Sequence, residues 1–262
     1  MRLLPGVHLV GSGSLGHSIT DPHDSHVYLI DGGSDAVLID AGCGLATDDI
    51  IARIIAAGVE PTSVSRVLLT HAHADHAAGA RFLADALGAE ILASARVAEI
   101  VAAGDEFASG LSRARAAGTY PEEVVLTPTH CGVLLDNDDI RVGGLVITAL
   151  ATPGHADGHL CFRVTIGPLM AVFTGDLVFA RGRVALLSTE DSRPAVLAES
   201  IRRLAKVRPD VLLPGHGSFV LSRAGDHLRM ALDAFDTGRV PPQLVPGILV
   251  RPKDIAVART AG

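Results

Sequence analysis

Thr70-His71-Ala72-His73-Ala74-Asp75-His76 is the stretch on which the reading of this chain turns. Three imidazoles and one carboxylate fall within the six positions from His71 to His76. Imidazole nitrogens and carboxylate oxygens are the ligands that zinc and similar divalent ions take. The spacer residues are alanines, small enough for the chain to wrap closely around an ion. The stretch continues from Val67-Leu68-Leu69-Thr70, a short, nearly all-apolar pattern expected of a strand buried on both faces. It precedes a helical pattern from Ala77 to Leu87 that Gly88 stops. Strand ends in α/β folds are where sites are built.

Three later turns share one format: Thr152-Pro153-Gly154-His155, Phe173-Thr174-Gly175-Asp176 and Leu213-Pro214-Gly215-His216. Each follows an apolar strand pattern and offers one ligand-type side chain. Glycine permits unusual backbone angles and close approach, and proline presets a turn. A single Pro-Gly-His turn would mean little. Together with His71 to His76, the three aim ligands from separate strand ends at a common point.

Outward from these turns, strand patterns cover Val7–Val10, Val27–Ile30, Ala36–Ile39, Glu90–Ala93, Leu145–Leu150, Leu160–Ile166, Leu169–Phe173 and Val211–Leu213. Asp31-Gly32-Gly33 is a hairpin signal. Helical patterns run from Thr47, which can cap, to Ala57, from Pro194 to Val207 and from Leu221 to Phe235. Residues 94–118 are Ala-rich and helical with breaks near Gly104 and Gly110, and 120–144 is turn-rich. The expected organisation is one domain over 1–262, with halves of similar content at about 1–130 and 131–236 and an irregular tail over 237–262. Pattern alone allows a four-layer packing of two sheets between helices, or a three-layer α/β sheet.

The chain has 48% hydrophobic and 19% charged residues, so it is globular. Its net charge of −7 and lack of a Lys/Arg run weigh against nucleic acid as a partner. No apolar stretch is long enough for a membrane span, and Met1–Val10 lacks a signal-peptide pattern, so a cytoplasmic location is expected. Cys43, Cys131 and Cys161 are odd in number and widely spaced, which predicts buried free thiols. Ser12, Ser14 and Cys43 lack a paired base and read as structural. His159, four after His155, reads as a packed or hydrogen-bonded histidine. The segment Gly11–His17 reads as a loop over the site. Arg181 and Arg183 suit either an acidic substrate or solvent.

His71-Ala-His73-Ala-Asp75-His76, followed by His155, Asp176 and His216, resembles the five-motif pattern of the metallo-β-lactamase superfamily, with Leu38-Ile39-Asp40-Ala41-Gly42 as the first motif. The resemblance implies a four-layer αβ/βα sandwich with two divalent metal ions, zinc first and iron or manganese as options, at one edge of the sheets. It implies that His71, His73 and His155 hold one ion, that Asp75, His76 and His216 hold the other, and that Asp176 bridges them. Asp40 would orient the site from behind the ligands, and Asp75 and Asp176 are the carboxylates expected in catalysis, Asp75 as a proton shuttle. The implied reaction is attack of a metal-activated hydroxide on the carbonyl of an ester, thioester or lactone of small size. True β-lactamases of the superfamily carry Cys or Ser where this chain has Asp176. The turns at His155 and Asp176 are similar to those of hydroxyacylglutathione hydrolases, but only forty-six residues follow His216, fewer than that group's helical domain requires. Alternatives are a mononuclear iron persulfide dioxygenase, a β-lactam-hydrolysing member and a ligand-binding member. Monomer and homodimer both stay open.

Overall fold

In the computed structural model, which describes residues 1–245, two sheets stack face to face between helices. The first sheet has seven strands in chain order: β1 (Arg2–Leu4), β2 (Val7–Gly11), β3 (Val27–Asp31), β4 (Ala36–Ile39), β5 (Val64–Leu68), β6 (Glu90–Ser94) and β7 (Gly132–Leu134). Its strands pair antiparallel from β1 to β4 and parallel from β4 to β7. Against it lie α1 (Thr47–Ala56), α2 (Ala74–Ala77), α3 (Ala80–Leu87), α4 (Ala95–Ala103) and α5 (Leu111–Ala116). The second sheet holds β8 (Asp139–Val142), β9 (Leu145–Ala151), β10 (Leu160–Ile166), β11 (Leu169–Gly175) and β12 (Val211–Pro214), with β8 and β12 at its edges. Helices α6 (Pro194–Val207) and α7 (Ala224–Asp236) cover its outer face.

The strands read as nearly unbroken apolar runs because both faces are buried. In β3 and β4, Leu29 and Leu38 point toward α1 and α3, whereas Tyr28, Ile30, Val37 and Ile39 point into the space between the sheets. In β10 and β11, Phe162 and Phe173 fill that same space, while Cys161 and Val172 face α6 and α7. Four layers follow from this alternation, and the three-layer packing is excluded.

Several elements differ from expectation. Thr47 is the first helical residue rather than the cap, a position held by Ala46. The helix expected from Ala77 begins at Ala74 and breaks at Gly79, whose N–H donates to the Gly42 carbonyl. A Cβ at Gly79 would stand 2.1 Å from the Ala41 carbonyl oxygen, so the break lets the two segments touch. The last helix starts at Ala224, three residues late. Strands β1, β7 and β8 were not evident, being three or four residues long and lying at or next to sheet edges. The start of the tail is paired, since Val184 donates to the Pro242 carbonyl and Leu244 to that of Val184. The rest of the expected tail, 246–262, lies outside the described residues. Cys43, Cys131 and Cys161 are free and buried, as expected. Among the described residues no helix is long and apolar enough to cross a membrane.

Candidate metal centre

Strands β4, β5, β9, β11 and β12 run in directions that bring their C-terminal ends to one edge of the sandwich. Asp40, His71, His155, Asp176 and His216 emerge there, just past those ends. Backbone bonds tie the emerging turns together: Leu160 donates to the Thr70 carbonyl, Gly215 to that of Gly175, Ala41 to that of His76, and His26 to that of Gly215. A Cβ at Gly215 would lie 2.4 Å from Asp176 Oδ1 and 2.6 Å from His76 Cε1, so only glycine leaves the ligand atoms their space. Gly175 takes a φ of +45°, and a Cβ there would meet His159 and Thr70.

All seven expected ligands converge. His71 Nε2 and His155 Nε2 lie 2.9 and 3.1 Å from His73 Nδ1. His216 Nε2 lies 3.0 Å from Asp75 Oδ2. Asp176 reaches both groups, with Oδ2 at 3.6 Å from His155 and 3.7 Å from His216, and Oδ1 at 3.4 Å from His76 Nε2. Three overlapping clusters of potential metal ligands result: His71, His73 and His155; Asp75, His76 and His216; and His71, His76 and Asp176.

Behind His71, His76 and His155, hydrogen bonds set which ring nitrogen faces inward. Asp40 Oδ2 accepts from His76 Nδ1 at 2.8 Å, and Asp40 Oδ1 accepts from the Thr70 N–H at 2.8 Å. The Thr70 hydroxyl donates to Asp40 and stands 3.0 Å from His71 Nδ1, from which it accepts. His155 Nδ1 donates to the Ala185 carbonyl at 2.8 Å. In each case Nε2 is left with its lone pair toward the centre.

Burial, reinforced by the neighbouring His76 and His73, lowers the pKa of His71 well below the ordinary range. Burial, with His155 next to it, brings His73 down to about 4. Both rings are therefore neutral and free to ligate. Burial opposes the charge of Asp176, but His216 and His76 outweigh it and hold the carboxyl well below its usual range. Burial likewise opposes protonation of His76, and Asp75, Asp40 and Asp176 override it. The carboxylates thus call for positive charge in a buried place. Among the described residues, His76 Nε2 and Asp176 Oδ1 are buried without a hydrogen-bond partner. A divalent cation between them would answer both, so the residues fit the metals that the sequence implies.

Two further residues belong to the centre. Thr70 couples Asp40 to His71. His159 accepts from the Asp176 N–H through Nε2 at 3.2 Å, with Nδ1 on the Thr152 hydroxyl, which gives its hydrogen-bonding role a target. Its only sequence signal was the spacing from His155. Tyr120, in the segment after α5, packs against the helix-side core with its ring 5.9 Å from that of His23. The Gly11–His17 segment and the residues after it are hydrogen-bonded rather than loose: Gly13 pairs with Asp24, Ser25 donates to the Asp75 carbonyl, and His26 Nε2 bonds the Gly217 carbonyl. Ser12 serves this loop, bonding the His17 N–H and His26. Arg181 and Arg183 are exposed and line a cavity of about 540 Å³ beside Gly217. A second opening, of about 530 Å³, reaches His73 between Ile100, Phe107, Arg113 and Asp191.

Comparison with known proteins agrees with this fold. Residues 20–216 match the Metallo-beta-lactamase superfamily. A curated atrochrysone carboxyl ACP thioesterase of Aspergillus fumigatus is 26% identical over 75% of this chain and 51% of its own length. A hydroxyacylglutathione hydrolase of Cereibacter sphaeroides is 30% identical over 58% of this chain and 48% of its own length. The chain thus spans about half the length of these relatives. Among solved structures, the native FEZ-1 metallo-beta-lactamase from Legionella gormanii superposes with a TM-score of 0.71 at 20% identity, covering 90% of this chain and 94% of that one. At that identity the likeness concerns the fold.

Proposed function

The chain belongs to the metallo-beta-lactamase superfamily, and from that premise we propose that it is a binuclear metallohydrolase acting on an ester, thioester or lactone of small size. The convergence of seven ligand-type side chains from separate strand ends on one solvent-reachable cluster carries this reading. The relatives named as a thioesterase and as a hydroxyacylglutathione hydrolase support its chemistry.

His71, His73 and His155 would hold one ion, and Asp75, His76 and His216 the other, with Asp176 shared between them. Divalent ions held so supply a Lewis acid for a carbonyl oxygen and lower the pKa of water toward neutrality. The chain's own groups do the rest. Asp176, held ionised by His216 and His76, fixes the two halves of the cluster relative to each other. Asp75, 14% exposed in its side chain, is the ligand-type carboxylate closer to solvent. Its carboxylate would take a proton from the attacking water and return it to the leaving oxygen or sulfur as the acyl bond breaks. The opening beside His73 admits the acyl group, with Ile100 and Phe107 offering apolar contact.

Metal analysis of the purified chain, with a panel of esters, thioesters and lactones before and after chelation, tests the reading. Hydrolysis should vanish on chelation and return with zinc. Turnover that survives complete metal removal would refute it, and oxygen consumption with a persulfide would replace it with the mononuclear iron chemistry.

A further inference from the structure

His216 differs from His71, His76 and His155 in having no hydrogen bond behind its ring. Those three bond through Nδ1 to Thr70, Asp40 and the Ala185 carbonyl. Among the described residues, His216 Nδ1 is buried without a hydrogen-bond partner. A ring held by no partner of its own takes its direction from the backbone that carries it. That backbone, the turn from Pro214 to Gly217, follows β12 of the second sheet, yet groups of the first sheet grip it. The Tyr28 hydroxyl in β3 donates to the Pro214 carbonyl at 2.6 Å. His26, just before β3, donates its N–H to the Gly215 carbonyl at 2.7 Å. His26 Nε2 donates to the Gly217 carbonyl at 3.0 Å. The grip is itself braced: the Ser12 hydroxyl meets His26 Nδ1 at 3.0 Å, and the Phe219 ring stands 5.2 Å from that of His26. A Cβ at Gly16 would lie 2.3 Å from His26 Cε1, so the Gly11–His17 segment rests directly on the ring.

We propose that His26 and Tyr28 are positioning residues for His216: their side-chain bonds to the Gly217 and Pro214 carbonyls pin its turn to the first sheet and so aim its Nε2 at the ion it would share with Asp75 and His76. This rests on the metal-dependent reading above. The topology supplies the need. Asp75 and His76 follow β5 of the first sheet, whereas His216 follows β12 of the second. A small slip of one sheet on the other would open the 3.0 Å approach of His216 Nε2 to Asp75 Oδ2. Hydrogen bonds that cross between the sheets beside the centre resist that slip, and the two side chains place one on each side of His216.

The test is zinc binding by the full chain, titrated against a chelating competitor, for wild type, Tyr28→Phe, His26→Leu and His26→Gln. Tyr28→Phe removes one hydroxyl, and His26→Leu keeps apolar bulk without the donor. Two ions should bind in every protein. One of them should lose about tenfold or more in affinity in Tyr28→Phe and His26→Leu, the range typical for loss of an outer partner of a ligand, and the other should be unchanged. His26→Gln, whose amide N–H can reach the Gly217 carbonyl, should recover most of the loss. His216→Ala should weaken the same ion, and adding Tyr28→Phe to it should cost little more, because both act through one ring. Isotherms of Tyr28→Phe and His26→Leu that match wild type would overturn this inference alone. Equal weakening of both ions, no recovery in His26→Gln, or weakening that follows a fall in the folded fraction would also overturn it, since packing would then be the cause. Should His26→Leu not fold, Tyr28→Phe decides by itself. Failure of the wild-type chain to bind zinc at all would remove the proposed function as well.

Discussion

Asp40 shows how much of the centre depends on one side chain. It is buried and takes a left-handed φ of 62°, a conformation that Asp and Asn tolerate better than most residues. Its two oxygens accept from Thr70 and His76, and through the Thr70 hydroxyl it also sets the ring of His71. Asp40→Asn keeps the backbone angle and the size but turns an amide N–H₂ or a neutral oxygen toward His76 Nδ1. We expect metal affinity and turnover to fall by about 10- to 100-fold with little change in the thermal midpoint. Competition titration with zinc alongside a melting curve checks this. A large loss of stability with intact metal binding would contradict it.

At the level of elements, the segment after α5 hangs on the Arg115–Glu106 pair. Arg115 donates to Glu106 at 2.8 Å, and Glu106 also accepts from the Leu126 N–H. The bond from Arg115 holds the Glu106 carboxyl below its ordinary value of 4.5. A carboxylate whose folded pKa is depressed adds stability above the unfolded value, and that stability is lost as pH falls through the folded one. The contribution is therefore present at neutral pH and fades below about 4.5. Glu106→Gln should lower the denaturant midpoint at neutral pH and match wild type in acid. A difference that persists unchanged below that range would reject the assignment. Because the pair lies near the surface, the effect should be modest and should shrink with salt.

For the whole molecule, the apolar layer between the sheets is what keeps the two groups of strand ends in register. Phe162 is fully buried there, facing the strands of the first sheet. Phe162→Ala should cost about 3–5 kcal/mol, the range for removing a buried aromatic ring and leaving a cavity. Ile55→Ala, at a position 58% exposed, should cost less than about 0.5 kcal/mol. Denaturant unfolding of the two variants measures both, and equal losses would contradict the sandwich packing. Metal affinity in the folded Phe162→Ala protein should also drop, since His71 and His155 belong to opposite sheets.

The sequence by itself determined the ligand types and the strand-end turns that bear them. Apolar runs with glycine and proline punctuation are local signals, as is a cluster such as His71 to His76. It also supplied the elements long enough to show a period, such as α6 and β10. It did not separate four layers from three by pattern, because both packings bury the same strands on two faces. Only the tertiary structure decided that choice, through which face of β3, β4, β10 and β11 meets which layer. It also revealed β1, β7 and β8, whose three or four residues carry too little periodicity to read. Thr70 and His159 gained their roles in the same way. A polar side chain acquires meaning from its neighbour in space, and Asp40 lies thirty positions from Thr70 along the chain, as His159 lies seventeen from Asp176. Chain folding alone brings such groups within hydrogen-bonding reach.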